Sequence, residues 1–327
     1  MKKIHWLCPG IKQNDLLMLK NSNLASTRLR TSVACQYLKK NGYDVTFGDT
    51  INKDRDLIVI GKVGSDVKRF DYWMNQLLKC KNNGSQIYLD YTDNHLGFKS
   101  SMSQFYSSFI EACDHIIVPS VKMKDNLFNY WEGTTTIIPD AIEVKIVPPR
   151  DKKSDTCNLL WFGHASNIEY IINLLENKSL NNNKNFHLTV MSNLNGLELF
   201  KGSIKTKVQL ENVTLLNWSK ELMQSKALDA DISLIPSSIN DPKKSGVSSN
   251  RLLTSLALGL PTLATNMPSY QAFSEYFLDI DKFSIEYMID NLKEQQSLVL
   301  KAQNELLDQF TEVSIGQSWL NLIKNTN

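Results

Sequence analysis

Short apolar runs alternate along this chain with longer stretches in which apolar residues return every three or four positions. Runs of the first kind suit strands buried on both faces, and the second spacing suits helices packed along one side. Their alternation predicts β-α-β units and parallel sheets. Strands are expected at residues 4–7, 43–47, 57–60, 87–90, 115–118 and 136–138, and again at 158–162, 186–191, 213–216, 231–235 and 262–264. A polar loop is expected after the first strand, through Asn23. A helix then begins near Ser26 or Thr27 as N-cap, carries Leu29, Val33, Ala34, Tyr37 and Leu38 on one side, and stops at Asn41-Gly42. Further helices are expected at 70–80, stopped by Asn82-Asn83-Gly84, near 105–112, from about Ser120, at 168–175 and at 250–258. The asparagine-rich stretch 180–185 reads as a loop.

The pattern breaks once and restarts. Pro139, Pro148 and Pro149 with the charged run 150–153 mark a linker, and the strand-helix alternation resumes at 158. With 327 residues, the chain also exceeds what one hydrophobic core usually serves. Two α/β domains are therefore expected, 1–149 and 150–327, with the last helix a candidate to pack back on the first. Composition, 42% hydrophobic and 21% charged, is that of a globular protein. The net charge of +2 argues against nucleic acid as the main partner. Its distribution is uneven: +5 over residues 1–150 and −3 over the rest. A mildly basic first half suits an anionic substrate or a peripheral stay on an anionic membrane face, and equally a solvated lysine-rich surface. Five scattered cysteines form neither a CxxC pair nor a set with histidine, so no zinc site, no disulfide framework and a reducing cytoplasm are expected. The apolar start is too short for a secretory leader, and no run reaches a spanning length.

Several segments carry chemistry. Asp231 leads a buried run, then a loop with Lys243 and Lys244, then the helix start Ser248-Ser249-Asn250-Arg251. Unpaired N–H groups at a helix start, with lysines and hydroxyls beside them, suit a phosphate or pyrophosphate; a capped helix behind a solvated basic loop has the same pattern. Asp93-Asn94-His95 follows a strand, at the edge where open α/β sheets place their ligands, and reads either as a site or as plain turn residues. Arg28 and Arg30 stand at the first helix start, as planar forks for phosphate or as surface ion-pair formers. Gly163-His164 forms a strand-to-helix turn in which His164 is a phosphate donor or a turn residue. His5, His115 and His187 lie within strands and read as structural. Tyr130 and Trp131, after Lys122 and Lys124, suit either a membrane surface or the core.

The stretch Asn250-Arg-Leu-Leu-Thr-Ser-Leu-Ala-Leu-Gly-Leu-Pro-Thr-Leu-Ala-Thr resembles the donor-binding segment of GT-B fold glycosyltransferases, in particular the retaining group 1 class. Four more segments resemble that class in its own order: Ala25-Ser-Thr-Arg-Leu-Arg with Gln36 to Val45, Cys113-Asp-His-Ile-Ile-Val-Pro-Ser, Thr136-Ile-Ile-Pro-Asp-Ala-Ile-Glu, and Leu159-Leu-Trp-Phe-Gly-His. The resemblance implies two Rossmann-like domains facing each other across a cleft, with an acceptor-binding first domain and a nucleotide-sugar-binding second. It implies sugar transfer from a nucleotide-activated donor to a glycan or lipid-linked acceptor, such as a bacterial surface polysaccharide. The donor is a co-substrate, and neither a cofactor nor a metal is implied. On this reading Asp93 serves as base or charge stabiliser and His95 bonds a sugar hydroxyl. Gly163, His164, Lys243, Lys244, Ser248, Ser249, Asn250 and Arg251 hold the donor phosphates, and Arg28 and Arg30 touch acceptor or phosphate.

The chain departs from the class in two places. The paired glutamates fall on Gly246 and Thr254, and the arginine and lysine that follow the glycine turn are missing after Gly163. Lys243, Lys244 and Arg251 are candidates to replace that charge. A nucleotide-sugar 2-epimerase of the same fold and a non-catalytic nucleotide- or glycan-binding relative remain alternatives.

Overall fold

The computed structural model describes residues 2–64, 67–151, 155–177, 186–203 and 212–325. The first six strands are β1 Lys3–Leu7, β2 Asp44–Gly48, β3 Leu57–Ile60, β4 Gln86–Asp90, β5 His115–Val118 and β6 Thr135–Ile137, and they form a sheet ordered β2-β1-β3-β4-β5-β6. Six more, β7 Cys157–Phe162, β8 Phe186–Ser192, β9 Val213–Asn217, β10 Ile232–Ile235, β11 Thr262–Ala264 and β12 Leu278–Asp279, form a sheet ordered β12-β11-β10-β7-β8-β9. Every pairing is parallel. Inner strands such as β3, β5 and β10 are buried at every residue, because helices cover both sheet faces and leave no polar side. The edge strands β6 and β9 carry threonines and remain partly exposed.

The helices are α1 Leu16–Lys20, α2 Val33–Lys40, α3 Phe70–Asn82, α4 Ser101–Phe109, α5 Val121–Leu127, α6 Ile168–Asn177, α7 Leu194–Ser203, α8 Lys220–Ala227, α9 Asn250–Ala257, α10 Ile285–Asp290, α11 Leu292–Glu305 and α12 Glu312–Asn325. Serines cap several of them: Ser100, Ser120, Ser219 and Ser284 each accept a backbone N–H three residues on, which satisfies one orphan donor of the first turn.

All eleven expected strands are present, and β12 is an addition. The helices differ more. The expected polar loop before Asn23 contains α1, capped by Asp15, whose carboxylate accepts the Met18 N–H at 2.9 Å. Ser26 has helical backbone angles and caps nothing; the chain passes instead through a π-helical turn, Thr27–Ser32, into α2. Residues 180–185, and Lys152 and Lys153 of the charged run, lie outside the described residues.

Contacts divide the chain into two units. One comprises Met1–Ala141, Pro242–Ser248 and Gln309–Asn327; the other comprises Ile142–Asp241 and Ser249–Asp308. The first therefore includes α12 and the lysine loop, so it is drawn from three separate parts of the chain. In it, one sheet face packs Ile4, Trp6, Phe47 and Val59 against α2 and α12, and the other packs Ile58, Ile60, Leu89 and Ile116 against α3, α4 and α5. Trp319 of α12 meets Trp6 edge-on, with ring centroids 5.1 Å apart, and both are fully buried. That close approach depends on Gly316, since a β-carbon there would overlap the Tyr37 ring on α2. In the second unit, Leu159, Trp161, Val190 and Leu234 pack against Ile168, Ile171 and Leu175 of α6.

Candidate functional site

In the first unit, chemistry gathers just past the carboxyl ends of β3 and β4. These strands are parallel neighbours, so the residues that follow them emerge side by side. Lys62, after β3, pairs with Asp93, after β4, at 2.5 Å. Burial by itself would raise the Asp93 carboxyl, but the Lys62 ammonium outweighs it and holds the group below its ordinary value. Tyr91 shapes the turn: its hydroxyl accepts the N–H groups of His95 and Leu96 at 2.7 and 2.9 Å. The His95 ring stacks on Tyr106, with centroids 5.6 Å apart and planes 8° from parallel. Burial lowers the His95 imidazole; Asp93 opposes that, and Lys62 and Lys243 add to it, so the ring is held neutral below its usual titration. Its Nε2 is buried and has no hydrogen-bond partner.

Arg30, expected to touch a ligand phosphate, does not reach the surface. It is 0% exposed, and its guanidinium is already taken. Nε and Nη2 donate to Asp90 at 2.6 to 3.0 Å, and Nη1 donates to the Ile138 carbonyl at 2.5 Å and to Asp140 at 3.1 Å. The Trp319 ring lies 5.7 Å away on the remaining side. No external anion has access to it, so the expectation is corrected: Arg30 is a structural ion-pair centre beneath the corner. Arg28 is half-buried, with Nη1 donating to the Ser22 carbonyl at 2.5 Å.

The loop with Lys243 and Lys244 belongs to the first unit. Asn94 donates to the Pro242 carbonyl at 3.0 Å, Ser120 to the Gly246 carbonyl at 2.7 Å, and Asn126 to the Ser245 carbonyl at 3.0 Å. Lys243 sits 5.9 Å above the Phe98 ring. Ser248 closes this segment. Gly246 stands where the resemblance implied a glutamate, and the structure excludes one. Its φ is +81°, and a β-carbon would lie 2.8 Å from the Met123 backbone nitrogen. The other such position, Thr254, is buried at 7% exposure.

In the second unit, β7 is followed by Gly163, whose N–H donates to the Met191 carbonyl at 3.0 Å and whose carbonyl accepts the Ser192 hydroxyl at 2.8 Å. His164 is exposed, and its Nδ1 accepts the Ser166 N–H at 3.3 Å, capping the short 3-10 turn Ala165–Asn167 that leads into α6. Asn193, at the end of β8, accepts the Ala165 N–H at 3.2 Å. Ser249 and Asn250 start α9, and Ser249 makes no side-chain cap bond. Arg251 reaches from α9 to the glycine turn: its Nη1 lies 3.4 Å from where a β-carbon on Gly163 would sit. The buried Tyr270 hydroxyl bonds this guanidinium, yet Nη1 is buried without a hydrogen-bond partner. A guanidinium nitrogen left in this state is able to donate to an external acceptor.

The structure thus brings Asp93, His95 and Lys243 together in one unit, and Gly163, His164 and Arg251 in the other. Lys62, Tyr91 and Tyr106 were missed from sequence. Lys62 follows a predicted strand by two residues, so only knowledge of which strands neighbour one another could have selected it. Among the described residues there is no group of three or more potential metal ligands, and no helix long and apolar enough to cross a membrane.

Neither a family model nor a curated protein sequence matches the chain. Solved structures do. The catalytic domain of starch synthase IV from Arabidopsis thaliana, bound to ADP and acarbose, is similar with a TM-score of 0.64 at 9% identity, over 99% of this chain and 99% of that one. An alpha-glucosyltransferase in complex with UDP-glucose and DNA containing an abasic site gives 0.61 at 12% identity, over 99% of both. TarM gives 0.58 at 16% identity over 89% of this chain, which spans 58% of TarM. The fold, two parallel six-stranded sheets with interleaved helices, is that of the GT-B glycosyltransferases.

Proposed function

We propose that this chain of GT-B fold transfers a glycosyl group from a nucleotide-activated sugar to a glycan or lipid-linked acceptor. The observation that carries the reading is Arg251. A half-buried arginine with one buried, unfilled donor nitrogen stands at the first strand-to-helix turn of the second unit, the position where α/β sheets receive phosphate. It supplies a planar fork suited to the diphosphate of a nucleoside diphosphate sugar. The start of α9 and the exposed His164 add donors at the same turn.

In the first unit, we assign the Asp93–His95 corner to the acceptor. Asp93 is held ionised by Lys62, and a carboxylate whose proton affinity is lowered is a weaker base. Its role here is electrostatic: to stabilise positive charge developing on the sugar as the diphosphate leaves. His95, neutral and with Nε2 unpaired, bonds a sugar hydroxyl. Lys243, beside it, offsets anionic charge on the substrates.

A panel of UDP-, GDP-, ADP- and CMP-sugars, screened by thermal shift and then assayed for transfer, tests the proposal. At least one nucleotide should raise the melting temperature by mass action. If no member of the panel binds, glycosyl transfer is the wrong reading. Solvent deuterium entering the sugar without an acceptor would favour the epimerase instead.

A further inference from the structure

Residues 128–131 hold three aromatic side chains, and the fold sends them different ways. Trp131 turns inward, packing against the core of the first unit and donating to the Thr134 carbonyl at 3.4 Å. Phe128 and Tyr130 stay outside, at 74% and 45% exposure. Single exposed apolar residues are ordinary on a protein surface, so exposure alone assigns them nothing. What sets Tyr130 apart is where its hydroxyl ends. It lies against Gly97, whose φ is +82°, so closely that a β-carbon there would overlap it. Gly97 is two residues beyond His95. Burial pushes the Tyr91 hydroxyl up to about 12; the N–H groups of Leu96 and His95 oppose this, and the nearby Asp93 and Tyr130 add to it. Tyr130 therefore borders the same turn as Asp93 and His95, although it arrives from the far end of α5.

Phe98, directly after Gly97, is the second aromatic at this edge. Its ring is partly exposed, and Lys243 sits 5.9 Å from the centroid. Around the two rings the rim is polar, with the Asp93 carboxylate, the His95 imidazole, the Tyr130 hydroxyl and the Lys243 ammonium. A pyranose has the same two-sided character: its C–H groups form apolar faces, and its hydroxyls stand around the edge. Aromatic faces cover the C–H groups without burying a hydroxyl, while carboxylate and imidazole take the hydroxyls. Other occupants fit less well. An acyl chain would cover Asp93 and Lys243 and give them nothing to bond. An extended peptide would need a strand edge to join, and β4, which leads into this turn, is an inner strand.

We propose that Tyr130 and Phe98 flank an acceptor subsite for one pyranose ring of a glycan, whose hydroxyls meet Asp93 and His95. The proposal rests on the glycosyl-transfer reading and narrows its acceptor to one that presents a sugar ring, not a bare lipid phosphate. The test is an array of immobilised oligosaccharides ending in glucose, galactose, mannose or N-acetylglucosamine, probed with the full chain, with and without UDP, GDP, ADP and CMP. At least one series should retain the protein. Tyr130→Leu and Phe98→Leu keep apolar bulk and lose the flat face, so each should weaken that retention about tenfold. Tyr130→Phe keeps the ring and should stay within about threefold of the wild type. Failure of every series to retain the wild type, retention unchanged in both leucine variants, or a loss in Tyr130→Phe as large as in Tyr130→Leu would each overturn the assignment. Calorimetry with the nucleotides on the same proteins separates the two readings: a chain that binds nucleotide but no glycan keeps the transfer reading and loses this subsite.

Discussion

Replacing Arg30 by Met isolates the buried ion-pair centre of the first unit. The substitution keeps an unbranched apolar stem in the space and removes the guanidinium, leaving Asp90 and Asp140, at 1% and 5% exposure, without their shared counter-charge. Breaking a buried pair by removing one partner costs about 3–5 kcal/mol. Loss of the Ile138 carbonyl's donor and of the contact over Trp319 places this case in the upper part of that range. The folded-to-unfolded ratio should fall by about a thousandfold or more. The loss should also depend on pH with a definite sign. Burial already raises the Asp90 carboxyl, Arg30 opposes it and Asp140 adds to it; without Arg30 the carboxyl rises further. A carboxyl whose folded value exceeds its unfolded one holds an extra proton in the folded state between the two values, so stability falls as pH rises through that window. The variant should therefore be most impaired above the raised Asp90 value and recover toward the wild type as pH approaches the ordinary carboxylate value of about 4. Urea unfolding of the full chain, followed by intrinsic fluorescence at several pH values, measures both effects. A deficit below about 1 kcal/mol, or one that grows on acidification, would refute the reasoning.

At the glycine turn of the second unit, Arg251→Ala should weaken nucleoside diphosphate binding about 10- to 100-fold by calorimetry, and Arg251→Lys should restore little of it, because an ammonium lacks the planar fork. In the lysine loop, Gly246→Ala places a side chain at positive φ against the Met123 backbone. It should free the loop at a cost of about 1–3 kcal/mol, seen as faster proteolysis near residues 242–248 with global unfolding little changed. His95 is held below its ordinary value, so its charging should not limit transfer above about pH 6.5; an acid limb at or above that pH, abolished in His95→Gln, would contradict its neutral state.

Strands such as Leu57–Ile60 and His115–Val118 were legible because a parallel sheet covered on both faces leaves an unbroken apolar run with sharp ends. Helix starts were less so. Ser26 has the composition of a cap, but the chain there enters a π-helical turn that carries the buried Arg30 and that no local propensity announces. The same blindness placed Arg30 at a ligand: the sequence shows that an arginine is present, not that two aspartates sixty and 110 positions away neutralise it. The Asp93 to His95 corner was visible as a polar cluster at a strand end, whereas its partner Lys62 depended on strand order. Strand β12, two residues long, is too short for any periodicity to register.

The first sheet begins to emerge at residue 3, yet the helix that seals it is the last described element of the chain. Until Trp319 arrives from the ribosome, α2 alone covers that face, and Trp6 and Leu38 lack the packing that α12 supplies. A nascent chain in this state presents an oily surface to chaperones for most of its synthesis, and the second unit is translated while the first still waits. Any premature stop that removes α12 therefore strikes the opposite end of the protein, leaving the start of the polypeptide as the damaged part.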